Sequence, residues 1–350
     1  MSGESPLPGT ASAADPPLVS VVIPTWNRAE LLRGAIASAL SQTLTDIEIF
    51  VSDNGSTDHT AEVVASFPDP RLHYRPLPQN VGLHGNLNRC LGFGTAPYVA
   101  FLHDDDRYRP DNLVRKVRFL EEQPTVGAVH SAVDRADLDG RIIERDVVFG
   151  GGSPAGVEAG RAFIARSMAQ RGLTEFTSTV LRRDAIAGCR FDARDGLLCD
   201  VGFRIRMALT SELGFIPEAL TVQTKHTGSL TTGGLIPDGA SEYQTLASVA
   251  HIATLAEVRT RFLSEHADQL HEVELLRRLA RRSTRRELAE AVDVSTWPER
   301  QLRATLRAVS EAVTVDPWVL AEGPALRAVA AALAGARTRD RVRRAIHGRA

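Results

Sequence analysis

The segment His103-Asp104-Asp105-Asp106 carries the most conspicuous chemistry in the chain. Three adjacent carboxylates repel one another, and a packed interior would have to desolvate them at considerable cost. The apolar run Tyr98 to Leu102 leads directly into them, and its β-branched and aromatic members read as a buried strand. A buried strand that stops on such a cluster makes sense if something cationic sits there, and a divalent metal carrying a phosphate ligand suits it. The plainer alternative is a solvated loop whose acids cap a helix beginning near Asp111, just past Pro110. A second carboxylate of interest is Asp200, which opens the helical pattern Leu198 to Met207. A carboxylate at a helix N-terminus is stabilised as an anion and is a ready proton acceptor, although capping the helix is its commoner role. Asp195 is its rival, in an Arg194-Asp195-Gly196 context that reads as an exposed turn, and Arg206 reads as a structural ion-pair partner.

The elements that must position these groups alternate in type. Leu18 to Ile23 is strand-like and ends at Pro24. A helical pattern follows, with Leu31, Leu32, Ala35, Ile36, Ala39 and Leu40 on one face. Ile47 to Val51 is a second strand, ending in Ser52 to Asp58, where Asp58 can cap the next helix. A third strand, Arg71 to Pro76, precedes Asn80-Val81-Gly82 and another helix; 98–102 is the fourth strand. Strands alternating with helices in this way predict a parallel, doubly wound α/β sheet, in which ligands bind beyond the carboxyl ends of the strands. Pro24 to Arg28, Asp53 to Asp58, Asn80 to Gly82 and His103 to Asp106 should therefore converge on one crevice. The glycine-rich dinucleotide fingerprint and the phosphate-cradling loop with its terminal Gly-Lys-Ser/Thr are both missing after the first strand. A nucleotide bound here needs its phosphates neutralised another way, which is the work assigned to Mg²⁺ or Mn²⁺ on the Asp cluster.

Downstream, a helix over 111–121 and a strand over Val126 to Val133 are expected. A hairpin through Asp137-Leu138-Asp139-Gly140 should follow, with a loop at Gly150 to Pro154 and a strand at Thr177 to Leu181. A short strand at Leu220 to Gln223 precedes His226, and the Gly- and Thr-rich stretch through Gly234 is a candidate lid. From about Ser241 the apolar residues Ile252, Leu255, Phe262, Leu270, Val273, Leu276 and Leu279 recur at helical spacing, and Pro298, Pro317 and Pro324 punctuate several helices. Residues 251–350 hold 18 Arg against 13 carboxylates, which reads as a solvated helical appendage in preference to an anion-binding face.

At 350 residues and 43% hydrophobic composition there is ample core for one large domain or two smaller ones, and a net charge of −2 gives no argument for nucleic-acid or membrane binding. Cys90, Cys189 and Cys199 share no metal-ligand spacing and cannot all pair internally, so a reducing, cytoplasmic setting is expected. Residues 1–17 read as a flexible tail, and no apolar run is long enough to span a membrane. The expected division is a tail at 1–17, a catalytic domain at 18–235 and a helical region at 236–350.

Four strings resemble, in order, the motifs of the family 2 glycosyltransferases: Val19 to Arg28, Val51 to Asp58, Asn80-Val81-Gly82, and Phe101 to Asp106 followed by Pro110. The resemblance covers roughly 18–230. It implies a GT-A fold, a mixed sheet with a Rossmann-like nucleotide-binding half, and an inverting sugar transfer from a nucleoside diphosphate donor. It implies that Pro24, Thr25, Trp26 and Asn27, with Arg28 nearby, bind the nucleotide together with Asn80 and Gly82, and that Asp53 accepts a hydrogen bond from the base. Asp105 would be the principal metal ligand, Asp104 would touch the ribose or share the metal, and His226 would reach the diphosphate or the metal. Asp200 would be the catalytic base. His103 stands where the family often has Asp, and Cys199 where it usually has Glu.

The expected partners are a UDP- or dTDP-sugar and a hydroxyl acceptor, either a polysaccharide precursor or a secondary metabolite. A homodimer through the C-terminal helices and a peripheral membrane contact are left open. The rival readings are a sugar-nucleotide-binding protein that lost turnover and a sugar nucleotidyltransferase. The latter should show a Gly-rich loop where Pro24 to Asn27 stands.

Overall fold

Val19–Thr25 (β1) is the hub of the sheet. Ile47–Asp53 (β2) pairs with it in parallel on one side and Tyr98–Phe101 (β4) in parallel on the other. The computed structural model describes residues 16–148, 154–170, 176–226 and 241–291, with the side chains of 241–250 and 289–291 not among them. Between these strands run Ala29–Leu40 (α1), Thr60–Ala65 (α2), Leu72–Pro76 (β3) and Gly82–Leu91 (α3). The chain then continues through Arg107–Tyr108 (β5), Asn112–Glu122 (α4), Val126–Ala136 (β6), Ile142–Val147 (β7), Gly156–Glu158 (β8), Gly160–Ala169 (α5), Val180–Arg182 (β9), Cys199–Met207 (α6) and Glu212–Thr224 (β10).

The strand order is β3-β2-β1-β4-β9-β6-β10-β5, with β7 beside β6 and β8 beside β10. The pairings from β3 to β4 and the β6–β10 pairing are parallel, whereas β9, β5, β7 and β8 join antiparallel. The result is a mixed α/β sheet. The chain winds from β1 outward to β3 and then returns to the other side of β1, so the order reverses between β1 and β4. A ligand crevice belongs at such a reversal.

Of the α1 face read from the sequence, Leu32, Ala35, Ile36 and Ala39 are buried in one core with residues of β1, β2 and β4, and Leu31 and Leu40 are half-buried. The expected hairpin is the antiparallel β6–β7 pair. Two expectations need correction. The short strand at 220–223 is the end of the thirteen-residue β10. Register shifts around Ile216 to Ala219, at an exposed Pro217-Glu218, interrupt the apolar alternation that would have shown its length. The strand expected at 177–181 is a 3₁₀ turn over Phe176–Ser178 followed by β9. Here Lys116 reaches in from α4, fully buried, to donate to Ser178 O at 2.5 Å and Asn112 Oδ1 at 2.6 Å. The Gly150 to Pro154 loop and the candidate lid through Gly234 fall almost wholly outside the described residues, as do the helices around Pro298, Pro317 and Pro324.

Two compact units emerge. Of the described residues, the first holds those within 16–167, those within 176–193, and 199–226; the second gathers 168–170, 194–198 and 241–291. Within the second, Ser241–Glu265 (α7) and Val273–Ala291 (α8) bury Ile252, Leu255, Val258, Phe262, Leu276, Ala280 and Leu288. A buried polar network joins them: Arg259 lies 3.4 Å from Glu287, and Ser283 donates to the same carboxylate at 2.5 Å. Among the described residues no helix is long and apolar enough to cross a membrane.

Candidate active site

The C-terminal ends of β1 and β4 meet through side chains. Thr25, the last residue of β1, is buried and its hydroxyl donates to Asp104 Oδ2 at 2.8 Å. Arg28, three residues further, spans two of the carboxylates with one nitrogen: Nη1 lies 3.1 Å from Asp104 Oδ1 and 3.0 Å from Asp105 Oδ2. Burial and the neighbouring Asp105 push the Asp104 carboxyl above its usual range, and Arg28 and Thr25 only partly offset this. The Arg28 guanidinium is held more firmly protonated, because Asp104 and Asp105 outweigh its partial burial.

The loops after β2 and β3 are tied to the same place. Asn27 has φ 52°, a left-handed conformation that Asn tolerates better than most residues. From there its N–H donates to Ser56 Oγ at 2.9 Å, and its Oδ1 accepts from Thr57 N at 2.8 Å. Asp53 accepts from Ser56 N at 2.9 Å and from the Tyr74 hydroxyl at 2.5 Å. Asn54, which the sequence reading passed over, is the buried fastener between loops. It donates to Asn80 Oδ1 at 3.0 Å and accepts from Val81 N at 2.9 Å, while Asn80 Oδ1 also accepts from Gly82 N at 2.7 Å. Gly55, at φ +75°, allows this approach, since a Cβ there would lie 2.7 Å from the Gln79 carbonyl carbon. Asp58 binds the first turns of two helices, accepting from Ala29 N and Thr60 N, each at 3.1 Å. Pro24 is half-buried at this rim and Trp26 is 51% exposed.

Among the described residues, one group of side chains could hold a metal. Ligand atoms of His103, Asp105 and Asp106 lie within 4.8 Å of one another. The trio implied by the family resemblance was Asp105, Asp104 and His226. In the structure Asp104 is turned to Thr25 and Arg28, and His226 Nε2 stands 3.1 Å from Asp105 Oδ2. Asp106 is fixed by Thr224 N at 2.9 Å, and the buried hydroxyl of that same Thr224 has no hydrogen-bond partner. Carboxylate oxygens with one imidazole suit Mg²⁺ or, more readily with the nitrogen ligand, Mn²⁺.

Asp200 sits in the first turn of α6 with its side chain 28% exposed. Arg204, four residues on and buried, donates from Nη2 to Asp200 Oδ2 at 2.8 Å. Arg206 donates to Arg190 O at 3.3 Å, and the helical i,i+4 spacing is the signal that links Arg204 to Asp200. Four phenylalanines lock α6 to the strand that carries the Asp cluster. Phe101 of β4 meets Phe176 at 4.9 Å and Phe191 at 5.9 Å; Phe203 of α6 stacks on Phe191 at 4.6 Å and meets Phe176 at 5.8 Å. No spacing rule in the sequence links these rings. Cys199, in place of the family's usual Glu, is buried. Asp195 is not an exposed turn residue. It is fully buried in the second unit, where Arg261 of α7 pairs with its carboxylate.

Residues 20–184 match the family model "Glycosyl transferase family 2". The succinoglycan biosynthesis protein ExoO of Rhizobium meliloti (strain 1021) is 37% identical over 128 residues, 36% of each chain. A Campylobacter jejuni GalNAc(5)-diNAcBac-PP-undecaprenol beta-1,3-glucosyltransferase is 44% identical over 94 residues, 26% of this chain and 30% of that one. The match thus spans about a third of the length of these curated relatives. The crystal structure of S. aureus TarS 1-349 superposes with a TM-score of 0.57 over 94% of this chain and 90% of that one, at 16% identity, which establishes likeness of fold alone. The same protein has been solved in complex with UDP, at a TM-score of 0.52 over 93% and 86% of the two chains and 16% identity. At residues 20–184 the chain thus carries a domain of the glycosyl transferase family 2, on a sheet folded in the GT-A manner.

Proposed function

We propose that the chain transfers a sugar, with inversion, from a UDP- or dTDP-sugar to an acceptor hydroxyl, and that Asp200 is the general base. The observation that carries this is the phenylalanine cluster, which joins the Asp200 helix to β4, the strand that leads into Asp104 to Asp106. A base and a site for an anionic leaving group are thereby held by one packed core. Asp200 keeps one oxygen on Arg204 while the partly exposed carboxylate offers the other to an acceptor. As the acceptor oxygen attacks the anomeric carbon, Asp200 takes its proton. The Arg204 contact fixes the carboxylate in the first turn of α6, so its other oxygen can meet the acceptor hydroxyl.

The nucleoside is placed by the loops at 24–28, 53–58 and 80–82. Asp53, already accepting from Ser56 N and Tyr74, presents an acceptor to an N–H of the base. His103, Asp105 and Asp106 would hold Mn²⁺ or Mg²⁺, with Asp104 and His226 beside them, and the ion would neutralise the departing diphosphate. Donors of this class fit the UDP complex of TarS and the glucosyltransferase relative. The acceptor is a glycan or other hydroxyl compound, consistent with the name of the succinoglycan biosynthesis protein ExoO.

The test is a thermal-shift panel of UDP, dTDP and GDP and their sugars with and without Mn²⁺, followed by assay of sugar release from the donor that binds. A donor at a hundredfold excess over Kd stabilises by about 2.7 kcal/mol. Stabilisation by UDP or dTDP and release of the sugar support the reading. A panel with no shift, or binding without release or transfer, overturns it.

A further inference from the structure

Arg28 and a divalent cation both need Asp105. Arg28 Nη1 lies between Asp104 Oδ1 and Asp105 Oδ2, at 3.1 and 3.0 Å, and the two acid side chains are only 7% and 10% exposed. Asp105 Oδ2 is also 3.1 Å from His226 Nε2, so two nitrogens already approach one carboxylate oxygen, which offers two lone pairs. Asp105 is moreover a member of the metal-ligating group with His103 and Asp106. A fixed positive charge a few ångströms from a dication opposes its binding even with strong solvent screening. A diphosphate, in turn, is a better partner for a guanidinium than a single carboxylate oxygen, since its planar fork matches phosphate oxygens in pairs.

We propose that Arg28 is a resident counter-ion of the Asp cluster that competes with the metal and yields when a nucleoside diphosphate arrives, so that metal and donor bind cooperatively. The proposal rests on the metal-assisted reading given above and adds a binding order to it. Donor phosphates draw the guanidinium off Asp104 and Asp105, and Asp105 then becomes available to the cation beside His103 and Asp106. The protein alone holds metal weakly; the protein with its nucleotide holds it tightly. Arg28 thereby keeps the acids neutralised between turnovers and links metal loading to the presence of donor.

The experiment measures free Mn²⁺ by electron paramagnetic resonance during titration of the full chain, with and without saturating UDP, for the wild type, Arg28→Gln, Arg28→Lys and Asp105→Asn. UDP is expected to tighten Mn²⁺ binding to the wild type by at least about tenfold. Arg28→Gln is expected to bind Mn²⁺ alone at least about tenfold more tightly than the wild type, as removal of one unit charge near a dication predicts. In that variant UDP should add correspondingly less, while Arg28→Lys, which keeps the charge, should stay close to the wild type. Should Arg28→Gln fail to fold, the wild-type titrations with and without UDP and the Lys variant still decide the matter. Equal or weaker Mn²⁺ binding in Arg28→Gln, or no effect of UDP on wild-type Mn²⁺ affinity, refutes the competition and leaves the metal reading standing. No Mn²⁺ binding to the wild type under either condition, or binding untouched by Asp105→Asn, overturns both.

Discussion

Replacing Asp200 by Asn removes the proton acceptor while disturbing little else. The amide has nearly the volume of the carboxylate, and its oxygen can still accept from Arg204 Nη2, now 2.8 Å from Asp200 Oδ2. A positioned general base contributes about 10²- to 10⁴-fold, so turnover should fall by that factor, about 3–5 kcal/mol of transition-state stabilisation. The folded state loses less. Breaking a fully buried ion pair costs about 3–5 kcal/mol, but the Asp200 side chain is 28% exposed and Asn keeps the hydrogen bond. A loss of about 1 kcal/mol is therefore expected, lowering Tm by about 2–4 °C. Asp200→Ala should lose the same turnover but cost more stability, since it leaves the buried Arg204 without this acceptor. Single-turnover transfer from the donor identified by thermal shift reads the first quantity, and urea unfolding reads the second. The nucleotide Kd should stay within about twofold, because Asp200 binds no part of the nucleotide in this reading. Transfer by Asp200→Asn within about tenfold of the wild type would refute the assignment. So would a loss of turnover matched by an equal loss of donor affinity.

Three further substitutions probe the scaffold. Asp58→Ala should cost about 1–2 kcal/mol in urea unfolding at neutral pH, since it removes the acceptor for the first turns of both α1 and α2. Hydrogen bonds from Thr60 and Ala29 hold the Asp58 carboxyl below its usual range, against slight burial. Its contribution is thus present above the unfolded carboxyl value of about 4 and is lost as pH falls through the folded value; an undiminished gap between wild type and variant in acid would contradict this. Lys116 gives the same direction from the opposite charge: burial drives its amine well below the ordinary lysine range, so the unfolded chain binds the extra proton, and wild-type stability should rise relative to Lys116→Met as pH climbs toward the unfolded lysine value of about 10.4. A flat difference across that range, read by urea midpoints, would show that the buried amine is not held neutral. Gly214→Ala would put a Cβ 2.3 Å from Phe119 Cε1, so it should destabilise by about 1–3 kcal/mol, and the double variant with Phe119→Ala should lose distinctly less than the sum of the two single changes.

Much of this molecule is determined by local pattern. The strands at 19–25, 47–53 and 98–101 are apolar runs that end in polar or turn-forming residues, and α1 repeats its apolar residues at helical spacing. Those features depend on neighbours in the chain, and the parallel order they impose brings four loops to one edge of the sheet. The motifs that mark the family are contiguous for the same reason: each is a strand end and the turn that follows it. What only the tertiary structure decides are pairings between residues far apart in sequence. Nothing local to Asp104 and Asp105 tells what surrounds them, yet Thr25 and Arg28, nearly eighty positions earlier, bind the first and His226 approaches the second. Asp195 reads as exposed until Arg261 closes over it, and the base helix gains its position from phenylalanines at 101, 176, 191 and 203 that follow no repeat. Local propensity is a property of a dozen neighbouring residues, whereas the environment of a charge depends on which distant groups the fold brings within a few ångströms of it.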